Sequence, residues 1–588
     1  MAVLNASPRW DLTPYFPSVD SREFATAMSS FALGLDQAEE LWKRERVTGG
    51  ENPSADSVAQ VVETLNMLYE TWMLMSSYLE CQVTTNSHDT AAAAKLSEFD
   101  GLSVRLQKLK TLFSLWMGGL HVESAASNSS VVREHEYALS HAKRQAKHLM
   151  DPRLESLVSD LSLSGSTAWS RLHSNLTSQI MVTVDGESYP MPAARNIAYE
   201  KDRSRRAAAY HAELAAWKDN ELPIAACLNG IKGEVTTLCR QRKWSDPLDQ
   251  ALFHAAIDRP TLEAMLSAAR KSFPTFRRYM NAKAQYLGQA KLAFYDLFAP
   301  VGESTKSWQY DEACDFVAEN FGNYSPAMGD FARRAFRENW IDAEPRNGKV
   351  GGACCTELRG DESRILMNFD PSYGSVSTLA HELGHAYHNV CLAKRSMLNK
   401  ETPMTLAETA SIFCETIIKE AALEVVGEAD QFAILEASLQ GQCQVVVDIT
   451  SRYLFEQGVF AKRSERELSA AEFSELMLDA QRQTYGDGLD ENLLHPYMWA
   501  VKPHYYSTYS FYNFPYMYGL LFGLGLYAIY RQDPEPFKAR YDDLLSSTGL
   551  ADASTLADRF GIDVRSEEFW SASLAQIAVD VDRFEKLI

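Results

Sequence analysis

The sequence predicts a mainly α-helical protein with a small β-sheet beside a histidine-bearing helix. Apolar residues recur at helical spacing through long segments, among them residues 57–83 and 96–120. Strand-like alternation and turn residues are confined to two regions, residues 180–191 and 347–370. The second region leads directly into HELGHAYH at residues 381–388. We therefore expect the sheet to lie next to this histidine cluster.

Length and charge limit the organisation and the partners. A chain of 588 residues exceeds the size at which one hydrophobic core stops growing, so two or more lobes are expected. Apolar residues make up 46% and charged residues 23%, which is a globular balance. The net charge of -21 repels nucleic acid and anionic membranes. Neither is therefore an expected partner.

The cysteines and the first residues favour a cytoplasmic location. Residues 1–18 contain neither the basic nor the apolar part of a secretory signal. The nine cysteines are scattered without a CxxC pair, as expected of free thiols in a reducing compartment. Residues 511–530 are apolar enough to resemble a membrane span. Because they include several tyrosines, Asn513 and Pro515, a buried helix is the preferred interpretation.

The elements follow in order along the chain. Helical segments fill the first third, with the polar stretch TTNSHDTAAAA as a connection and a Gly-Ser break within residues 151–176. Residues 180–191 alternate around Asp-Gly, which predicts a hairpin. We place a boundary there, between an N-terminal helical lobe at 1–195 and a second domain at 196–588 that contains the histidine cluster. In the second strand-like region, RILMNF (364–369) is the clearest strand.

The histidine cluster has the spacing of a metal site. The preceding PSYGSVSTLA offers Ser375 or Ser377 as the N-cap of a helix. His381 and His385 are four residues apart, so their imidazoles lie on one helical face and can share one ion. Zinc takes nitrogen ligands in tetrahedral sites, and two histidines leave room for one protein ligand and a water.

Glu382 supplies the remaining group of an HExxH motif. Its carboxylate neighbours the histidines and can take a proton from a water that attacks a carbonyl. The motif has three fixed residues, so the alternative is a helix that carries histidines on its surface.

The third ligand is not fixed by spacing. His388 lies about 4.5 Å further along the helix axis than His385, so we assign it a structural or supporting role. Glu408 belongs to a predicted helix at 400–425 and precedes the small residues Thr409, Ala410 and Ser411, which permit close helix packing. The alternative for Glu408 is a capping box.

The roles of Glu408 and Glu415 remain open at this point. The capping box would pair Thr405 with Glu408 at a helix start. Glu415 lies two turns after Glu408 on the same face. It could accept an N–H from a ligating histidine and fix its tautomer, or it could be a surface acid.

These motifs resemble a known family. HELGHAYH at 381–388, AETASIFCE at 407–415 and GKVGGA at 348–353 ahead of RILMNF are similar to the oligoendopeptidase F group of zinc oligopeptidases, relatives of thimet oligopeptidase. The similarity extends from about residue 115 to the C-terminus. It implies a largely helical, clam- or bowl-shaped zincin-like fold, with one zinc ion deep in a channel that admits short unfolded peptides.

The resemblance also implies roles for individual residues. His381, His385 and Glu408 correspond to the zinc ligands, and Glu382 corresponds to the general base. RILMNF corresponds to an edge strand that pairs with the extended substrate.

The resemblance extends to the segment VKPHYYSTYSFYNFPYMYG at 501–519, which suggests His504, Tyr512 and Tyr516 as donors to the oxyanion. Asn513, Phe514 and Pro515 depart from the family pattern there, so the choice of tyrosine stays open. Tyrosines packed in a helical core are the alternative for each.

The expected activity is therefore zinc-dependent endopeptidase cleavage of oligopeptides. A zinc carboxypeptidase and a catalytically silent peptide-binding protein are the alternatives. The intact Glu382 argues against the silent protein.

Overall fold

Helix-forming segments with polar caps make up most of the molecule, seen here in a computed structural model that describes residues 8–48, 53–302 and 304–588. Within these residues the α-helices, in chain order, are α1 Arg22–Arg44, α2 Ala55–Thr85, α3 Thr90–Met117, α4 Val122–Asn128, α5 Ser130–Glu134, α6 Glu136–Ala146, α7 Pro152–Ser162, α8 Ser166–Gln179, α9 Met191–Asn196, α10 Arg203–Gln241, α11 Pro247–His254, α12 Arg259–Tyr286, α13 Tyr310–Tyr324, α14 Pro326–Arg337, α15 Tyr373–Leu392, α16 Met404–Ala407, α17 Thr409–Val425, α18 Glu428–Cys443, α19 Ile449–Arg463, α20 Ala470–Tyr485, α21 Met498–Val501, α22 Phe514–Gln532, α23 Pro534–Ser546, α24 Ala553–Asp558 and α25 Glu567–Leu587. The strands are β1 Met181–Val184, β2 Glu187–Pro190, β3 Ile341–Asp342, β4 Cys354–Glu357 and β5 Ser363–Leu366. The predicted mainly helical fold with small sheets is confirmed.

Local sequence explains where the long helices begin. Ser21, Ser54 and Asp89 each accept a backbone N–H of the first turn, which satisfies a donor that the helix leaves free. The cap at Asp89 starts α3 at Thr90, so most of the polar stretch predicted as a connection is helical. The alanines of that stretch are strong helix formers, which explains the difference.

The two strand regions form two small sheets. β1 and β2 pair antiparallel around Asp185 and Gly186, both of which have positive φ, so the predicted hairpin is confirmed. In the second sheet the order is β3-β5-β4, with β5 parallel to β3 and antiparallel to β4.

The central place of β5 corrects one prediction. We expected RILMNF to be an edge strand, but its first three residues belong to β5, which pairs on both sides. The two residues of β3 cover one of those sides, and a strand so short has no recognisable sequence pattern. The edge strand that packs against α15 is therefore β4.

The chain divides into two compact units, each built from separated segments. The first takes its described residues from Met1–Leu149, Lys306–Glu424 and Ile529–Leu556, and the second from Met150–Thr305, Val425–Ala528 and Ala557–Ile588. The first unit has a core of apolar side chains from α1 to α6 and holds the three-stranded sheet and α15. In the second unit, α12 packs along α25 and α19 along α20. The boundary placed at residue 195 stays a prediction.

The apolar segment near the C-terminus is a buried helix. α22 covers Phe514–Gln532, and its side chains are buried from Phe514 to Tyr527 except at Tyr516. Across the described part of the chain, no helix has both the length and the apolar character needed to span a membrane.

Candidate metal centre

Helix α15 brings the two motif histidines together. Its N-cap is Ser372, whose hydroxyl accepts the N–H of Ser375, so the predicted caps Ser375 and Ser377 are wrong. Ser375 instead accepts the N–H of Asp370 and donates to its carboxylate, which fixes the chain just before the helix. The helix begins earlier than predicted because Ser372, which directly follows Pro371, already supplies the hydroxyl oxygen that an N-cap needs.

One turn of α15 presents His381 and His385 on the same face, as the spacing predicted. Their ring centroids are 5.0 Å apart, with the planes 79° from parallel. Both Nε2 atoms approach Glu408: its Oε2 lies 3.3 Å from Nε2 of His381 and 3.4 Å from Nε2 of His385. One ligand atom from each of the three residues falls within 4.8 Å of the others.

This group of atoms suits a divalent metal. Two imidazole nitrogens and one carboxylate oxygen are a donor set that zinc accepts, with one position left open. Burial lowers the pKa of His381, but Glu408 and Glu415 outweigh it and raise the pKa to about 10. Burial raises the pKa of Glu408, but His381 and His385 outweigh it and hold that pKa well below its usual range. Positive charge is therefore favoured where the three side chains meet.

A break in the helix directs Glu408 toward the histidines. The predicted helix at 400–425 is two helices, α16 and α17, and Glu408 lies between them with φ -87° and ψ 4°. Pro403 is the N-cap of α16, so Thr405 lies inside this short helix and not at the N-cap position that the capping-box alternative requires. The Ser411 hydroxyl donates to Oε2 of Glu408 at 2.6 Å, a contact that the sequence analysis missed although Ser411 lies three residues on.

The close approach of the two helices depends on Gly384. A Cβ at this position would lie 2.6 Å from Cα of Ser411 and 2.7 Å from the carbonyl oxygen of Ala410. Both are backbone atoms that cannot turn aside. The small residues that the sequence analysis noted after Glu408 therefore face a glycine on α15.

We expect Gly384→Ala to destabilise the protein by about 1–3 kcal/mol and to weaken metal binding, because the added methyl group overpacks the contact that positions Glu408. Thermal unfolding and metal content measure the two effects. Gly374→Ala is the matched control on the same helix, since its Cβ would meet only the Ser372 hydroxyl, at 3.4 Å. Equal behaviour of the two variants would contradict this account of Gly384.

Glu415 and His388 have different surroundings. Oε2 of Glu415 lies 3.1 Å from Nδ1 of His381, and its Oε1 accepts the Ser377 hydroxyl at 3.1 Å. An Nδ1–H donated to Glu415 leaves the lone pair of Nε2 for the shared centre. Nε2 of His388 instead contacts the Leu545 carbonyl and the Thr548 hydroxyl.

The setting of His388 is that of a neutral core residue. It is buried, and burial lowers its pKa to about 4. It therefore packs the α15 helix against the chain around residue 545.

Glu382 takes no part in this pairing. Its side chain is buried, and within the described residues its carboxylate accepts no hydrogen bond and forms no ion pair. Burial raises the pKa of Glu382, and His381 and His385 oppose the rise. Glu382 lines a cavity of about 440 Å³ together with His381, Asn368 and Gly352. Its carboxylate is thus available to a molecule in this cavity.

His504, Tyr512 and Tyr516 belong to the second unit and cluster there. The rings of His504 and Tyr512 stack at 5.1 Å, and those of Tyr512 and Tyr516 are 6.0 Å apart. Tyr512 and Tyr516 are half-buried, whereas their neighbours Tyr505 and Tyr506 are buried. The Tyr512 hydroxyl forms no hydrogen bond with any described residue.

The chain is similar to known oligopeptidases along most of its length. The sequence model of a family described as Peptidase family M3 matches residues 196–576, and one described as Oligopeptidase F matches residues 121–181. Group B oligopeptidase PepB of Streptococcus agalactiae is 23% identical over 99% of this chain and 97% of its own length. Oligopeptidase PepF of Bacillus subtilis is 22% identical over 77% of this chain and 69% of its own.

Solved structures share the fold. A crystal structure of a putative peptidase from Chlamydophila abortus superposes with a TM-score of 0.83 at 19% identity, covering 99% of this chain and 98% of that one. Oligoendopeptidase-F from Enterococcus faecium gives a TM-score of 0.69 at 17% identity, covering 96% of this chain and 99% of its own.

Proposed function

Because this chain belongs to peptidase family M3, we propose that it is a zinc-dependent endopeptidase that cleaves internal bonds of short, unfolded oligopeptides. Membership of this family identifies the protein as a metal-dependent oligopeptidase. Its relatives are named oligopeptidase and oligoendopeptidase F. The observation that carries the proposal is the convergence of His381, His385 and Glu408 beside the unpaired carboxylate of Glu382.

The three converging side chains would hold the metal. When bound, zinc supplies Lewis acidity, which activates water as a nucleophile and polarises the scissile carbonyl. Glu415 keeps the proton of His381 on Nδ1 and so orients Nε2 toward the metal position. Glu382 takes the proton of the attacking water and later delivers it to the nitrogen of the leaving amine.

The strand β4 would bind the substrate backbone. β4 pairs with β5 on one side and with no other strand among the described residues. Gly352 and Ala353, just before β4, line the cavity that also contains Glu382. Main-chain pairing of this kind gives affinity with little side-chain selectivity.

We propose that His504 and a tyrosine, Tyr512 or Tyr516, donate hydrogen bonds to the oxyanion. The expected result is a decrease in kcat of about 10²-fold for the Tyr→Phe variant of the donor, with the unfolding midpoint unchanged. For Tyr512 no effect on folding is expected, because its hydroxyl has no partner in the described structure. Tyr509→Phe is the control, since Tyr509 lies in the same segment and is exposed. Wild-type kcat for both Tyr512→Phe and Tyr516→Phe would refute the tyrosine assignment.

The mode of cleavage can be tested with a peptide blocked at both ends. An endopeptidase cuts it internally, and mass spectrometry of the products locates the bond. A carboxypeptidase leaves it intact but shortens the same peptide with a free C-terminus, and a silent binding protein cuts neither. Cleavage of only the free peptide would replace the proposed function with the first alternative.

We further propose a cytoplasmic enzyme with a catalytic domain at residues 196–588 and an N-terminal helical lobe at 1–195. Nine free cysteines support a reducing compartment. The family match over residues 196–576 supports the extent of the catalytic domain.

A further inference from the structure

The second unit contains a cavity lined by its own residues alone. Its volume is about 210 Å³. Aromatic rings form much of the wall: Tyr199, Tyr210, Tyr279, Phe294, Tyr295, Phe298 and Tyr485. Such a wall suits the flat or apolar body of a small organic molecule.

Charged side chains on this wall are paired with one exception. The lining contains three cations and two acids: Arg195, Arg206, Lys502, Glu213 and Asp448. Arg195 forms an ion pair with Glu213. Arg206 pairs with the buried Asp296 at 2.9 Å. Both arginines therefore have a counter-ion without any ligand.

The exception is Lys502. Asp448 is the acid with the largest electrostatic effect on Lys502. Its carboxylate already pairs with Arg452 at 2.5 Å and accepts a hydrogen bond from the Tyr485 hydroxyl. Among the described residues, the Lys502 ammonium forms no hydrogen bond and no ion pair. Burial lowers its pKa to about 8, although Asp448 opposes the fall. Lys502 is therefore a half-buried cation in the cavity wall that has no counter-ion among the described residues.

The backbone around the cavity is also unusual. Gln444–Asp448 form a π-helical turn between α18 and α19, and both end residues line the cavity. Such turns occur often at functional sites. Nε of Arg206 and Nδ1 of His495, buried in the same wall, lack hydrogen-bond partners in the described part of the chain.

We propose that this cavity binds a small organic carboxylate with an aromatic or apolar body, whose carboxylate pairs with Lys502. One unpaired cation matches one negative charge, and the aromatic wall matches the body. The positive lining is a local feature, because the protein as a whole carries a net charge of -21. Every residue that lines this cavity belongs to the second unit, whereas His381, His385 and Glu408 belong to the first.

Isothermal titration calorimetry with 3-phenylpropionate tests the proposal on the full chain. We expect one binding site per chain, and binding of the neutral 3-phenylpropan-1-ol that is at least about 10-fold weaker. Lys502→Met should weaken binding of the acid about 10- to 100-fold, and Lys502→Arg should largely retain it. Lys218→Met, at an exposed position of α10, is the control.

A chelator separates this site from the metal centre. Carboxylates also coordinate metals, so binding at the metal centre would disappear when the metal is removed, whereas binding beside Lys502 would persist. Chelator-sensitive binding, equal affinity of Lys502→Met, or no binding of the acid by the wild type would overturn the proposal. If Lys502→Met fails to fold, the proposal is tested by the wild-type protein alone. Equal affinity for the acid and the alcohol would then overturn it.

Discussion

Glu382→Gln is expected to reduce kcat by about 10²- to 10⁴-fold while leaving the metal content unchanged. Glutamine keeps the shape of the side chain but cannot accept the proton of the attacking water. Because the Glu382 carboxylate has no hydrogen bond or ion pair within the described structure, its replacement removes no contact that holds the fold. Neutralising a buried carboxylate also lowers its desolvation cost, so the unfolding midpoint should stay equal or rise.

The measurement combines steady-state cleavage of a quenched peptide with metal analysis and thermal unfolding. Glu424→Gln removes the same charge from an exposed position on α17 and should leave all three unchanged. Substantial turnover by Glu382→Gln at wild-type metal content would show that another group accepts the proton.

Glu408→Ala is expected to lose the metal, and activity with it. Oε2 of Glu408 is the atom that both histidine Nε2 atoms approach, so its removal leaves two ligands from one helix. Partners outside the ligand set typically contribute about 10- to 100-fold to metal affinity, and a direct ligand should contribute more. Dialysis followed by metal analysis and a peptide assay should find both reduced.

The control for this variant is Glu401→Ala. Glu401 is an exposed acid a few residues earlier, and its ion pair with Lys110, at 3.3 Å, is of the surface kind that contributes little. One tightly held ion per chain in Glu408→Ala would mean that the third ligand is another residue.

The sequence was most informative where the signal is local. His381 and His385 lie on one face because helical periodicity places positions four apart together. The hairpin at Asp185 and Gly186 follows from turn chemistry within two residues. Neither feature depends on distant parts of the chain.

Features that depend on tertiary contacts escaped prediction. No Gly or Pro lies between Met404 and Val425, so the break between α16 and α17 has no strong local signal in the sequence. The break is apparent only in the structure, where Glu408 contacts both histidines. β3 is too short to carry a pattern, so the central position of β5 could not be foreseen. The two units are composed of alternating segments, because each is defined by contacts between residues far apart in the sequence.

Stoichiometric restoration by zinc tests the central claim most directly. The enzyme is stripped with a chelator, the chelator is removed, and cleavage of an internally quenched, doubly blocked peptide is followed as zinc is titrated back. We predict that stripped enzyme is inactive and that activity rises linearly to a plateau at one zinc per chain. Full activity in the stripped protein, or zinc bound at one per chain without any cleavage, would contradict a zinc endopeptidase centred on His381, His385 and Glu408.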